Sequence, residues 1–219
     1  MRIGILGATG PAGKALGARV ADLGHDVWVG SRDAARAEEV VADLRGRLGD
    51  RVASIRGVAN AEAAEMGEMV VIAVPWQAAG MVAADAAGAL SGKIVISMAN
   101  ALERRDDEFV AIVPPDGSVA AGVAKAAPES RVVAAFHHVP ARELAALDEA
   151  IDGDVLVCSD DRDAAQVVCD FVGTVPRLTA IDVGGLGNAV GIEAFTAVLL
   201  SVNRRYKVRT GVRLTGLTR

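Results

Sequence analysis

Three glycines (Gly7, Gly10 and Gly13), two arginines (Arg32 and Arg36) and a histidine pair (His137 and His138) have types and spacings that could do chemistry. The glycines lie in Gly7-Ala8-Thr9-Gly10-Pro11-Ala12-Gly13, between the apolar run Ile3-Gly4-Ile5-Leu6 and a helical pattern. A helix N-terminus offers unpaired N–H groups and the positive end of the helix dipole, so a glycine turn leading into one attracts a pyrophosphate. Gly7 permits the tight turn, Gly10 lets a phosphate approach bare backbone, and Gly13 lets the helix lie close to the strand. The spacing is one residue longer than the common G-x-G-x-x-G. Pro11 suits the first helical turn, where a missing N–H costs little. Thr9 adds a hydroxyl donor inside the loop.

The next strand, Asp26-Val27-Trp28-Val29-Gly30, ends in Ser31-Arg32, and Arg32 lies 19 positions after Gly13. Dinucleotide-binding folds place an acid near this offset to bind a ribose 2′-hydroxyl, or an arginine to accept a 2′-phosphate. Here the chain offers Ser31, Arg32 and, one helical turn on, Arg36, with Asp33 as the one opposing charge. A guanidinium grips a phosphate bidentately, and Ser31 can donate a further bond. The loop therefore predicts a dinucleotide, and the strand end predicts NADP.

These residues need a frame. Apolar strands alternate with Ala-rich helices: Ala34–Leu48 is a helix, residues 54–58 a short strand, and 61–66 a short helix that Asn60 could cap. The strand over 69–74 is continuously apolar, as expected when both faces are covered. A helix runs from Trp76 to Leu90, a fifth strand spans 93–97, and the charges and Pro114-Pro115 of 100–117 predict a loop. A helix over 119–126 and a strand over 131–136 complete six βα units. Beyond them come a helix over 141–149, a strand over 154–158, a helix over 163–172 and a strand over 177–183. Gly184-Gly185-Leu186-Gly187-Asn188 then breaks the chain before a long helix to about Tyr206. The expected fold is α/β: a doubly wound parallel sheet, a Rossmann NADP-binding domain over 1–150, and a small C-terminal α/β extension over 151–219 that packs against it and closes the site.

Composition bounds the rest. Of 219 residues 52% are hydrophobic but only 3% aromatic, so the core is Val, Ala, Leu and Ile. The net charge of −5 gives no reason to expect nucleic acid or an anionic membrane as partner. Cys158 and Cys169 fit reduced thiols in a core, with no metal cluster. The chain opens on its first strand and shows no run long enough to span a bilayer, so we expect a soluble, cytoplasmic protein without a leader.

Ligands of an open parallel sheet bind beyond the carboxyl ends of the strands. Those ends carry Val74-Pro75-Trp76, Ser97-Met98-Ala99-Asn100 and His137-His138-Val139-Pro140-Ala141. Trp76 offers a flat apolar surface to a ring. Adjacent side chains at a strand end point opposite ways, so one of His137 and His138 can face a ligand. The third histidine, His25, is expected in a surface loop on the far side. No Tyr-x-x-x-Lys pair appears, and the single tyrosine is Tyr206. A site so poor in acids and bases suits hydride transfer between two rings that bring their own chemistry. An NADP-dependent reductase of a small metabolite or imine, and a non-enzymatic NADPH sensor, are the alternatives.

Gly7 to Lys14, Gly24 to Arg32, Val74-Pro75-Trp76, His137 to Ala141 and Leu147-Asp148-Glu149 together resemble the NADPH-dependent reductases of the deazaflavin coenzyme F420. The likeness spans almost the whole chain. It implies reversible hydride transfer between nicotinamide C4 of NADP(H) and C5 of coenzyme F420, by alignment of two stacked rings with no catalytic acid or base. It implies that Thr9, Gly10, Pro11 and Ala12 line the pyrophosphate and that Ser31, Arg32 and Arg36 hold the 2′-phosphate. Trp76 and Ala141 would sit by the nicotinamide, and His137 and Val139 would meet the deazaflavin. It also implies a cytoplasmic homodimer. The chain departs from the family pattern in its 100–117 loop and at His138, where a smaller polar residue is usual. Residues 204–219 carry Arg204, Arg205, Lys207, Arg209, Arg213 and Arg219 and no acid, a +6 segment expected to steer or bind the anionic tail of the deazaflavin coenzyme.

Overall fold

The central strands bury side chains on both faces, and this follows from where the helices lie. In the computed structural model, which describes residues 1–217, each strand sends alternate residues to two separate cores. The chain runs β1 (Arg2–Leu6), α1 (Pro11–Asp22), β2 (Asp26–Ser31), α2 (Ala34–Leu48), β3 (Ile55–Ala59), α3 (Asn60–Met66), β4 (Met69–Ile72), α4 (Trp76–Asp85), α5 (Ala87–Leu90) and β5 (Ile94–Ser97). It continues with β6 (Leu102–Arg105), β7 (Glu108–Ala111), α6 (Val119–Ala126), β8 (Arg131–Ala134), α7 (Ala141–Ala145), β9 (Gly153–Val157), α8 (Arg162–Gly173), β10 (Leu178–Asp182) and α9 (Ala189–Tyr206). Ile3, Ile5, Val27, Val29, Val71 and Ile96 face the core under α1, α2, α7 and α8. Leu6, Trp28, Val70, Ile72, Val95 and Ala134 face the core under α3, α4, α5, α6 and α9.

The six-stranded sheet is parallel throughout, in the order β3-β2-β1-β4-β5-β8. This is the doubly wound Rossmann arrangement. The chain reverses direction across the sheet between β1 and β4, and a crevice opens at that switch point. β9 and β10 form a separate parallel pair, tied to the edge strand β8 through an antiparallel bridge between Cys158 and Ala134. Val155, Val157, Ala164, Val168 and Phe171 from this region join the same core as Ile3 and Ile5.

The structure corrects several boundaries. Residues 100–117 are not a plain loop: β6 and β7 pair as an antiparallel hairpin, turning at Asp106 with φ +49°. The helix expected from Trp76 to Leu90 is two helices, broken at Ala86. The helix expected over 141–149 ends at Ala145. Its last carbonyls and those beyond bind the buried guanidinium of Arg19: Leu144 O at 3.1 Å, Leu147 O at 3.1 Å, Glu143 O at 3.0 Å, Ala146 O at 2.6 Å and Glu149 O at 3.2 Å. These bonds satisfy acceptors that a helix end leaves open. Contrary to the expectation of no such run, residues Leu186–Tyr206 are, by length and a mean hydropathy of 1.3, long and apolar enough to cross a membrane. In the fold this helix is a packing element, with Ala189, Ile192, Glu193, Thr196 and Ala197 buried.

Candidate functional site

The glycine loop takes the shape its residue types predict. Gly7 has φ +74°, and a Cβ there would lie 2.2 Å from Val74 Cγ1, so the turn at the switch point admits only glycine. Gly10 precedes the first turn of α1 in extended conformation, and a Cβ there would meet only Gly7 O, at 3.9 Å. A Cβ on Gly13 would stand 2.7 Å from Ala8 Cα and 3.0 Å from Ala73 Cβ, so α1 rests directly on the loop. No side chain caps α1, its first turn has no acid, and Pro11 occupies its start. Thr9, Pro11 and Ala12 are part-exposed or exposed around these open N–H groups. Asn60 does not cap α3. Its Oδ1 instead accepts the Gly7 N–H at 3.0 Å and braces the turn.

At the end of β2, Ser31 is buried and its Oγ accepts the Asp33 N–H at 3.3 Å. Asp33 in turn caps α2 by accepting the Ala35 N–H at 3.0 Å, so the opposing acid is occupied by backbone. Arg32 is exposed beside a cavity of about 270 Å³, together with Ser31, Asn60, Ala61, Met81 and Val82. Arg36 does not line it: its Nη1 is held by Glu39 at 2.7 Å. The structure thus brings Ser31 and Arg32 to one cavity and leaves Arg36 outside. Asn60 and Met81 join that cavity without any signal in the sequence beyond their place after β3 and on α4.

The ends of β4, β5 and β8, adjacent in the sheet, carry Trp76, Ser97 and His137. Trp76 Nε1, Ser97 Oγ and both ring nitrogens of His137 are buried without hydrogen-bond partners among the described residues. Buried polar atoms are normally paired, so these orphans on three neighbouring strand ends stand out. Phe136, with φ +65°, turns the chain out of β8 just before His137. Burial, reinforced by the neighbouring His138, pushes the His137 imidazole down to about 3, so it is neutral. His138 points elsewhere. Its Nε2 bonds Ile192 O at 2.7 Å, and its ring meets Phe195 edge-on at 5.7 Å. Val139 and Ala141 follow, half-buried, at the start of α7.

α9 packs against this region. Thr196 Oγ1 donates to Asn100 Oδ1 at 2.9 Å, and Asn100 Nδ2 donates to the His137 carbonyl at 3.3 Å. One turn earlier, the buried Glu193 accepts the N–H groups of Val119 at 2.8 Å and Ala120 at 3.0 Å, fixing the start of α6. Burial raises this carboxyl to about 7, against the pull of those two bonds. His25 is half-buried against Phe171, with ring centroids 5.6 Å apart, and is not a free surface residue. The basic C-terminal segment carries less free charge than its residues suggest. Arg204 is paired with Asp107 of the hairpin and Arg213 with Asp152, while Arg219 lies outside the described residues.

The doubly wound sheet and the bare helix end beside Gly10 define a dinucleotide-binding protein of the Rossmann class. Residues 2–101 match the family described as NADP oxidoreductase, coenzyme F420-dependent. The chain is 37% identical over 222 residues to the F420-dependent NADP reductase of Methanocaldococcus jannaschii, covering 99% of both chains. It is 34% identical to the F420-dependent NADP reductase of Methanothermobacter thermautotrophicus, covering 99% of this chain and 96% of that one. The chain belongs to the family of F420-dependent NADP reductases. A candidate F420-dependent NADP reductase from Arthrobacter sp. FB24 has the same fold, with a TM-score of 0.84 at 24% identity over 98% of this chain and 99% of that one. An imine reductase from Bacillus cereus shares the fold at a TM-score of 0.64 and 15% identity, over 94% of this chain and 63% of that one.

Proposed function

We propose that this protein transfers a hydride reversibly between NADP(H) and coenzyme F420. The observation that carries this reading is the set of orphaned polar atoms at the ends of β4, β5 and β8, beside a glycine loop that leaves the α1 N-terminus open. When bound, NADP(H) gives or takes the hydride at nicotinamide C4, and the deazaflavin does so at C5. The residues of this chain bind, orient and keep water out. The backbone of Thr9, Gly10, Pro11 and Ala12 takes the pyrophosphate at the helix end. Ser31 and Arg32 take the 2′-phosphate, and Arg36 joins them by releasing Glu39, an exposed pair that costs little to break. Trp76 and Ala141 flank the nicotinamide. His137 and Val139 meet the deazaflavin, with His137 offering one N–H donor and one acceptor from an uncharged ring.

Residues 151–219 act as the small domain that closes this cleft, because Ile192 and Thr196 of α9 bond to His138 and Asn100 just beyond the ends of β8 and β5. We place the protein in the cytoplasm as a homodimer. The free face of α9, with Val198 51% exposed and Tyr206 68% exposed, lies beside Phe109 of the hairpin and forms an apolar groove that suits a second copy. Arg32→Ala tests the cofactor side. In deazaflavin reduction its KM for NADPH should rise about tenfold to a hundredfold, the loss of a charge-assisted phosphate contact. Its KM for NADH should hardly move, and an equal loss for both would contradict the assignment.

A further inference from the structure

A groove runs beside the phosphate loop on the outer side of α1. α1, the last turn of α2 and α7 enclose a cavity of about 380 Å³. Ala15, Ala18 and Leu44, all buried, form its floor. Lys14, Arg47 and Arg142 stand on its rim. One carboxylate lies close by: Asp43 is 3.5 Å from Lys14 Nζ and 3.1 Å from Arg47 Nη2. Both contacts are part-exposed and hold the cations weakly. Arg142 is exposed and has no ion-pair partner among the described residues.

The groove borders residues of the proposed site. Pro11, the first residue of α1, and Ala141, at the end of the His137 segment, both line it. A ligand seated at the strand ends that carries a long substituent can lay it between α1 and α7. The lining asks for an extended chain that tolerates an apolar floor and presents negative charge to the rim. The geometry points to this groove as the seat of the anionic side chain of the deazaflavin co-substrate, its phosphodiester and glutamyl carboxylates lying along Lys14, Arg47 and Arg142. This rests on the proposed reaction. Arg142 has no acid partner among the described residues, whereas Arg204 and Arg213 of the C-terminal segment are paired with Asp107 and Asp152, which favours the groove over that segment as the tail site. Three cations in one groove also attract an anion before contact, an effect that salt weakens.

The test compares two probes by fluorescence titration of the deazaflavin: coenzyme F420, and its ribityl form lacking the phosphate and glutamate chain. In the double variant Arg47→Glu/Arg142→Glu, the ratio of the Kd for the full coenzyme to the Kd for the truncated one should rise about tenfold at low salt. At about 0.5 M salt the rise should largely vanish, since the screening length falls to a few ångströms. Asp43→Asn should move the ratio the other way, because it frees Lys14 and Arg47. A misfolded variant cannot produce tighter, tail-dependent binding. An unchanged ratio in both variants overturns the proposal, and so does a ratio that moves only when Arg205, Lys207 and Arg209 are neutralised. If the native protein binds neither probe, the reductase reading itself fails and this proposal falls with it.

Discussion

His137 and His138 are neighbours in the chain and opposites in environment. His138 is anchored to Ile192 of α9, whereas His137 keeps two buried ring nitrogens without a partner among the described residues. Sequence alone showed that one of the two could face a ligand, but which one depends on the turn at Phe136 and on a helix more than fifty residues away. The same limit applies to Asn60, whose bond to Gly7 links residues far apart in the chain. The glycine roles were legible because they follow from local backbone shape. Burial gives His137 a pH signature. Its folded value, about 3, lies below the ordinary 6.5, so the unfolded chain binds the proton first and stability falls as pH drops through that window. The slope from one such group is at most about 1.4 kcal/mol per pH unit. Glu193 acts in the opposite sense, losing stability as pH rises from its ordinary 4.5 to about 7. Denaturant titrations of His137→Asn and the native protein between pH 6.5 and 4 should therefore diverge, with the variant losing less on acidification. Parallel curves would show that His137 is not buried neutral.

The helices and strands of the main sheet were readable because apolar runs of the right length report a strand covered on both faces. The hairpin was not. Glu103, Arg104, Arg105 and Glu108 are exposed and charged, and they mask the pairing of β6 with β7. Its stability comes from β7 lying against α9, which no local pattern reveals. α7 was over-extended for a related reason. It stops at Ala145 because the carbonyls from Glu143 to Glu149 turn onto Arg19, which burial keeps below its usual basicity while Asp22 opposes. Arg19→Ala should destabilise the protein by about 3 kcal/mol, the cost of leaving several buried acceptors unpaired. Arg19→Lys should recover little of it, since an ammonium lacks the planar fork that reaches five carbonyls. Thermal unfolding of both variants checks this, and a lysine variant as stable as the native protein would contradict the account of α7.

At the scale of the whole molecule, one fold serves two ligands. The switch point between β1 and β4 opens beside the α1 N-terminus, and the bridge between Cys158 and Ala134 ties the β9–β10 pair to β8. The exposed apolar face of α9 is where we propose that a second copy docks. Val198→Asp should halve the mass measured by light scattering in solution, and a native protein that is already monomeric would remove that role from the groove. The central claim is that the chain aligns two hydride carriers and adds no acid–base chemistry of its own. The direct measurement is to mix the purified protein with NADPH and oxidised coenzyme F420 and to follow the deazaflavin's visible absorbance. The account predicts bleaching that matches NADPH consumption one for one and reverses on adding excess NADP. Tight NADPH binding with no bleaching would contradict it.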